Sequence, residues 1–157
     1  ARVQPAQIVN NAAAEIVAAL TTTIAETAVT QMKAQNFHWN VTGMSFGSLH
    51  DLFGTIYAEH FAAIDELAER VRALGGHAEG RFSEYVRLST IKESDGRLKD
   101  GAMLEELAHD QRVLSSTSRN LAETAERHGD MTTADMAVAR AQAHDKFAWM
   151  LAAHLDR

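Results

Sequence analysis

The chain predicts an all-α protein, a four-helix bundle with one long connection between its second and third long helices. Three observations carry that expectation. The 157 residues are 46% hydrophobic, with much of that share in alanine and only one proline, a composition biased toward the strongest helix former and away from the strongest breaker. Apolar residues recur at steps of three and four through four long stretches, the spacing that gathers them on one helical face. Glycines fall where those stretches end, at Gly75-Gly76 and at Gly129, as helix C-termini favour. The length suits one domain with a substantial core.

The first helix is expected from about Pro5 to Phe37. Pro5 suits a first-turn position, and Ile8, Ala12, Ile16, Leu20, Ile24, Thr27 and Gln31 make a stripe that turns polar toward its end. The second starts near Ser45 and stops before Gly75-Gly76. The third runs from about Asp100 to His128, with Leu104, Leu107, Gln111, Leu114, Ser118, Leu121 and Ala125 in unbroken alternation of threes and fours. The fourth follows Thr132, read as an N-cap with Asp135 three residues on, and carries Met136, Ala139, Ala143, Phe147, Met150 and His154. From Gly75 to Lys99 the connection exceeds an ordinary turn, and Arg81 to Leu88 suits a short extra helix within it. Four helices with the long connection in that place describe a ferritin-like bundle running up-down-down-up. Neither an internal repeat nor a low-complexity linker divides it, so residues 1–157 read as a single domain.

The net charge of −6 and the absence of cysteine exclude some functions. Thiolate metal sites and disulfide staples are ruled out, which fits a cytoplasmic setting. An acidic chain repels a nucleic-acid backbone unless basic residues gather locally. The N-terminal Ala1-Arg2-Val3-Gln4-Pro5-Ala6 and C-terminal Leu155-Asp156-Arg157 are not polybasic arms, so any DNA contact is expected to be weak. No run reads as a membrane span, and no signal-peptide pattern opens the chain. It begins at Ala1 rather than Met, consistent with a processed or trimmed N-terminus.

Two histidines twelve residues apart, His38 and His50, and two carboxylates one helical turn apart, Asp65 and Glu69, are the candidate metal ligands. Imidazole with carboxylate suits iron, manganese or zinc. Asp65 and Glu69 repel one another at this spacing unless a cation lies between them. If one helix covers residues 46–74, His50 and Asp65 share a face but lie ~22 Å apart along the axis. One ion cannot bridge them within a subunit. The set closes if a second copy packs this helix antiparallel about a two-fold axis, which predicts a metal site at a subunit interface. Di-iron sites inside such bundles use two Glu-x-x-His motifs and two further glutamates. The single motif here, Glu106-Leu107-Ala108-His109, reads instead as a solvated face.

The run His38-Trp39-Asn40-Val41-Thr42-Gly43, with Phe46, Leu49-His50, Asp65, Ala68-Glu69-Arg70, Leu74-Gly75-Gly76 and Asp145-Lys146-Phe147-Ala148-Trp149-Met150, resembles the Dps family, the mini-ferritins. The resemblance covers nearly the whole chain. It implies a hollow dodecamer built from two-fold dimers. Such a cage oxidises Fe(II), preferably with hydrogen peroxide, stores ferric mineral and so protects DNA, with nucleoid association as a further expectation. By position, His38 and His50 would be catalytic metal ligands from one chain, with Asp65 and Glu69 the bridging and terminal carboxylates from its mate.

One departure stands out. The family usually places Asp or Glu one turn after the second histidine, where this chain has Gly54, so the second iron position is expected to be weakened. Asp51 is an imperfect substitute. His60 and His154 are candidates for an extra imidazole, whereas His77, His128 and His144 read as surface or helix-end residues. Trp39 and Trp149 read as core aromatics, with Trp39 close to the iron by resemblance. Asp130 and Asp135 open the fourth helix, where acidic groups favour the helix dipole. By resemblance Asp135 would also line an acidic three-fold pore. The alternative expectations are a cage that packs the nucleoid by coating DNA, and one impaired by Gly54 that holds a single metal such as zinc.

Overall fold

The structure, a computed structural model, describes the backbone of residues 5–155 and the side chains of residues 11–155. The described residues form five helices and no strand: α1 (Pro5–Asn40), α2 (Phe46–Ala73), α3 (Phe82–Leu88), α4 (Asp100–Arg127) and α5 (Met131–Ala153). Four long helices make the bundle, and the short α3 lies in the connection before α4, as expected. Ile8, the first residue of the expected α1 stripe, lies outside the described side chains.

Side-chain pairs along the helices give the topology. On α1 and α4, Lys33 meets Asp110, Glu26 meets Thr117 and Glu15 meets Arg127, so these helices run antiparallel. Glu59 with Arg140 and Arg70 with Asp130 set α2 antiparallel to α5, while the short turn at residues 41–45 sends α2 back along α1. The order is therefore up-down-down-up.

Glycine ends two of the helices. At the end of α2, Gly75 has φ +87°, its N–H donates to the Arg72 carbonyl at 3.0 Å, and the Gly76 N–H donates to Val71 at 3.0 Å. Those paired bonds satisfy carbonyls that the helix leaves free. Gly129, φ +71°, repeats the device for α4, where the Asp130 N–H donates to Ala125 at 2.9 Å. Asp130 then caps α5, its carboxylate accepting from the Thr133 N–H at 3.0 Å. The N-cap is thus Asp130 rather than Thr132, which lies inside the helix. One residue closes α4 with its backbone and opens α5 with its side chain.

The core has two large apolar clusters divided by a largely polar waist, which also holds the small cluster of Val29, Ile91 and Leu114. One cluster gathers Phe37, Phe53, Ile56, Met103, Leu107 and Leu151; the other gathers Ile16, Leu20, Ile24, Leu67, Val71 and Leu121. Between them along each of the four long helices lie buried Glu26, Lys33, His60, Asp110, Gln111, Arg140 and His144. The expected α4 stripe is buried throughout.

The α5 face differs from expectation. Ala139 is exposed, while Ala137, Arg140, Ala141, His144 and Ala148 are buried. Alanine on all sides of this helix gives too little contrast to set its rotation. Trp39 and Trp149 are 59% and 67% exposed, so neither is a core aromatic of the chain. Contrary to expectation, the 11–40 stretch of α1 is long and apolar enough by length and composition to cross a membrane, with alanine carrying much of that apolar character. Its buried Glu26 and Lys33 face partners on α4, as in a bundle helix.

Candidate metal centre

His38 ends α1 and His50 lies in the second turn of α2. The turn between them is shaped by Gly43, φ +109°. The two imidazoles grip each other's backbone. Nδ1 of His38 donates to the His50 carbonyl at 2.6 Å, and Nδ1 of His50 donates to the His38 carbonyl at 2.7 Å. The rings stack with centroids 3.7 Å apart and planes 17° apart. A carbonyl can only accept, so each Nδ1 carries a proton, which leaves Nε2 as the ring nitrogen open to a metal. Phe46 stacks over the outer face of His50 at 5.2 Å, and Tyr57 meets His38 edge-on at 5.2 Å. Both histidines are half-buried.

The carboxylates stand elsewhere. Asp51, Thr55, Ala58, Phe61, Ala62, Asp65 and Glu69 are exposed on α2 at helical spacing, forming one outward stripe with Asp65 and Glu69 toward its C-terminal end. Beside it runs a groove of about 1210 Å³ between α1, α2 and α3, lined by Met32, Trp39, Phe61, Asp65, Phe82 and Val86. Among the described residues, no three His, Cys, Asp or Glu side chains come together as a metal-binding group. The imidazole pair and the carboxylate pair therefore lie toward opposite ends of α2.

The remaining candidates fall in different surroundings. Gly54 sits against the His38 ring. Asp51 is exposed beside it in sequence. Exposed His154 caps α5 and donates from Nδ1 to the Met150 carbonyl at 2.9 Å. Asp130 is committed to capping and to Arg70, 3.0 Å away. Burial acts to raise its carboxyl, but the Thr133 and Arg70 hydrogen bonds outweigh burial and lower it. Asp135 is exposed in the first turns of α5, free of that capping role. His128 pairs with Glu15 at 2.6 Å. Glu106 faces Lys33 at 3.4 Å.

His60 and His144 are both 0% exposed, so His144 is a core residue rather than a surface one. They belong to a closed hydrogen-bonded ring across α2, α4 and α5. Arg140 binds Glu59 through both terminal nitrogens, at 2.6 and 2.9 Å. His60 donates from Nδ1 to Glu59 at 2.9 Å and accepts from the Gln111 amide at Nε2, also 2.9 Å. His144 donates from Nδ1 to the Gln111 oxygen at 2.7 Å and accepts at Nε2 from Arg140 at 3.3 Å. Burial lowers the pKa of both histidines. Burial also acts to raise Glu59, but the His60 and Arg140 hydrogen bonds hold it well below the carboxylate range. Both ring nitrogens of His60 are thus engaged inside the bundle, facing away from the α2 stripe. The sequence signal for this ring was slight: Gln111 interrupting a leucine stripe, and Arg140 and His144 four residues apart.

An up-down-down-up bundle with its long connection between the second and third long helices is the ferritin-like arrangement, and the ferritin-like domain family matches residues 17–157. A DNA protection during starvation protein of Helicobacter pylori is 36% identical over 134 residues, covering 83% of this chain and 92% of that protein. General stress protein 20U of Bacillus subtilis is 33% identical, covering 90% of this chain and 97% of that protein. The crystal structure of a Dps protein from Bacillus brevis superposes with a TM-score of 0.90 at 32% identity, covering 93% of this chain and 98% of that one. A Dps protein from Vibrio cholerae O1, described as a member of a superfamily of ferritin-like diiron-carboxylate proteins, gives 0.89 at 29% identity over 93% of this chain and 92% of that one. The chain belongs to the Dps family.

Proposed function

We propose that the protein is an iron-oxidising, iron-storing cage whose oxidation centres form between subunits. Fe(II) is the substrate. It binds between the Nε2 atoms of His38 and His50 on one copy and the carboxylates of Asp65 and Glu69 on a second. The observation that carries this reading is the division of donors along α2. The imidazole half-site is preset, its tautomers fixed by reciprocal bonds of 2.6 and 2.7 Å. The carboxylate half-site is exposed on the same outward stripe, beside a groove with Trp39 59%, Phe61 70% and Phe82 84% exposed. Large apolar patches of this kind mark association surfaces, and an antiparallel second α2 would bring each half-site onto its complement.

The division also assigns chemical roles. Neutral imidazoles supply nitrogen donors without charge, and the two carboxylates balance the charge of a divalent cation. With hydrogen peroxide as oxidant, two Fe(II) ions each give one electron, the O–O bond breaks, and two protons complete two waters. Ferric product then mineralises inside a dodecameric shell. Asp135, and to a lesser degree the committed Asp130, would favour cation entry through acidic pores. Consuming iron and peroxide together would protect DNA without contact, in keeping with a net charge of −6.

Anaerobic Fe(II) titration of the metal-free protein, followed by peroxide and absorbance in the ferric band, tests the reading. Saturable Fe(II) binding and fast peroxide-driven oxidation, both lost in His38→Ala and in Asp65→Ala, are expected. Unchanged binding in both variants would overturn it. Retention of duplex DNA in a gel shift at moderate salt would show instead that DNA coating is part of the function.

A further inference from the structure

The two imidazoles are flanked by two larger rings. Phe46, the first residue of α2, lies one turn before His50 and so shares its helical face. The turn delivers it there: Gly43, φ +109°, leaves the Phe46 N–H donating to the Gly43 carbonyl at 3.1 Å. The Phe46 ring covers one face of His50, with centroids 5.2 Å and planes 26° apart, an offset stack. His38 covers the other face at 3.7 Å and meets Tyr57 edge-on at 5.2 Å. Among the described residues the His50 side chain makes one hydrogen bond, from Nδ1 to the His38 carbonyl at 2.7 Å. A single bond leaves an imidazole able to turn about its Cβ–Cγ axis. Half a turn would set Cδ2 against that carbonyl and Cε1 where Nε2 had been. Such a turn sweeps the ring through the space over both its faces, and His38 and Phe46 fill that space.

We propose that Phe46 is a positioning residue for His50: its ring closes the face that His38 leaves open and so holds Nε2 in the direction a metal requires. Its aromatic character counts as well as its bulk. A metal draws electron density out of the imidazole that binds it, and the electron-rich face of a benzene ring attracts the electron-poor ring that results. The stack therefore strengthens on metal binding, whereas an aliphatic side chain would fill the space without that preference. Phe46 is 46% exposed, so truncating it opens no cavity in the core, and the bundle survives the change. The inference rests on the metal-centre reading above for what Nε2 binds, but the stack itself belongs to a single chain.

The test uses Co(II) as an optical probe on the metal-free oligomer, with Phe46→Ala, Phe46→Leu and Phe46→Tyr beside the unmodified protein. One aromatic stack is worth about 2- to 10-fold, and losing a contact that orients a metal-binding histidine costs about 10- to 100-fold in affinity. Phe46→Ala should therefore lose Co(II) affinity by about 10-fold, where those ranges meet, while keeping helix content and oligomer size. Phe46→Leu should recover only part of that loss, and Phe46→Tyr nearly all of it. Nitrogen-15 imidazole spectra of the metal-free protein read the ring itself. His50 should be protonated at Nδ1 in the unmodified protein and in Phe46→Tyr, and should move toward a mixture of tautomers in Phe46→Ala. Unchanged Co(II) affinity or an unchanged His50 tautomer in Phe46→Ala, full affinity in Phe46→Leu, or His50 protonated at Nε2 in the unmodified protein would each overturn the proposal. His38→Ala and Asp65→Ala separate it from the reading beneath it. If both bind Co(II) normally, the shared centre fails, and the tautomer alone decides whether Phe46 holds His50. If both abolish binding while Phe46→Ala binds as the unmodified protein does, only the inference about Phe46 fails.

Discussion

Replacing His144 with leucine opens the buried ring at one member, and the consequence should depend steeply on pH. In the folded protein His60 and His144 are neutral, because burial pushes both pKa values down. The groups facing them are Glu59 and Arg140, each other, and the uncharged Gln111. In the unfolded chain each histidine titrates near ~6.5. Below that value the unfolded state binds protons that the folded state refuses. Stability is therefore fully present above about pH 6.5 and lost as the pH falls. Two such groups give a slope approaching about 3 kcal/mol per pH unit once the unfolded histidines are charged. His144→Leu leaves the Gln111 oxygen without its donor and Arg140 short of one acceptor, which should cost about 1–3 kcal/mol at about pH 8. It also removes one titrating group, so its slope should be about half that of the unmodified protein. The two stability curves should converge between about pH 6 and about pH 4. Urea unfolding of the metal-free protein at fixed subunit concentration measures both quantities. Parallel curves would show that His144 is not held neutral by the ring, and would refute the reasoning.

Other perturbations follow from the same contacts. Lys33→Met strands the buried Asp110 carboxylate, now paired at 2.9 Å, and should cost about 3–5 kcal/mol in urea unfolding. Burial already raises the Asp110 carboxyl, and without Lys33 it should rise further, making the loss greater near neutral pH than in acid. Asp130→Ala removes the α5 cap and the acceptor for Arg70, so about 1–2 kcal/mol should be lost, read as a fall in Tm.

Much of this architecture is legible in the sequence, for physical reasons that differ between elements. The α4 stripe alternates leucine with polar residues strongly enough to fix its rotation, and all seven expected positions are buried. Helix ends at Gly75 and Gly129 are visible because only glycine adopts their positive φ cheaply. The α5 rotation is hidden by alanine on every side, and its N-cap by two adjacent capping candidates, Asp130 and Thr132. The separation of the His38 and His50 pair from Asp65 and Glu69 follows from helical rise alone, since no rotation of α2 shortens its length. The buried ring was out of reach because its members come from three helices, and each looks ordinary in its own segment. The packing of Gly54 against the His38 ring is likewise a tertiary contact that the sequence does not state.

Subunit complementation tests the central claim most directly. One variant carries His38→Ala and His50→Ala, the other Asp65→Ala and Glu69→Ala, and neither alone should bind Fe(II) at the centre. Dissociated, mixed in equal amounts and reassembled, they should form mixed two-fold pairs in which one site has intact histidines from one chain and intact carboxylates from the other. Random pairing should restore about a quarter of the original sites, measured by anaerobic Fe(II) titration and peroxide-driven oxidation. No recovery in properly reassembled mixtures would contradict a centre shared between chains.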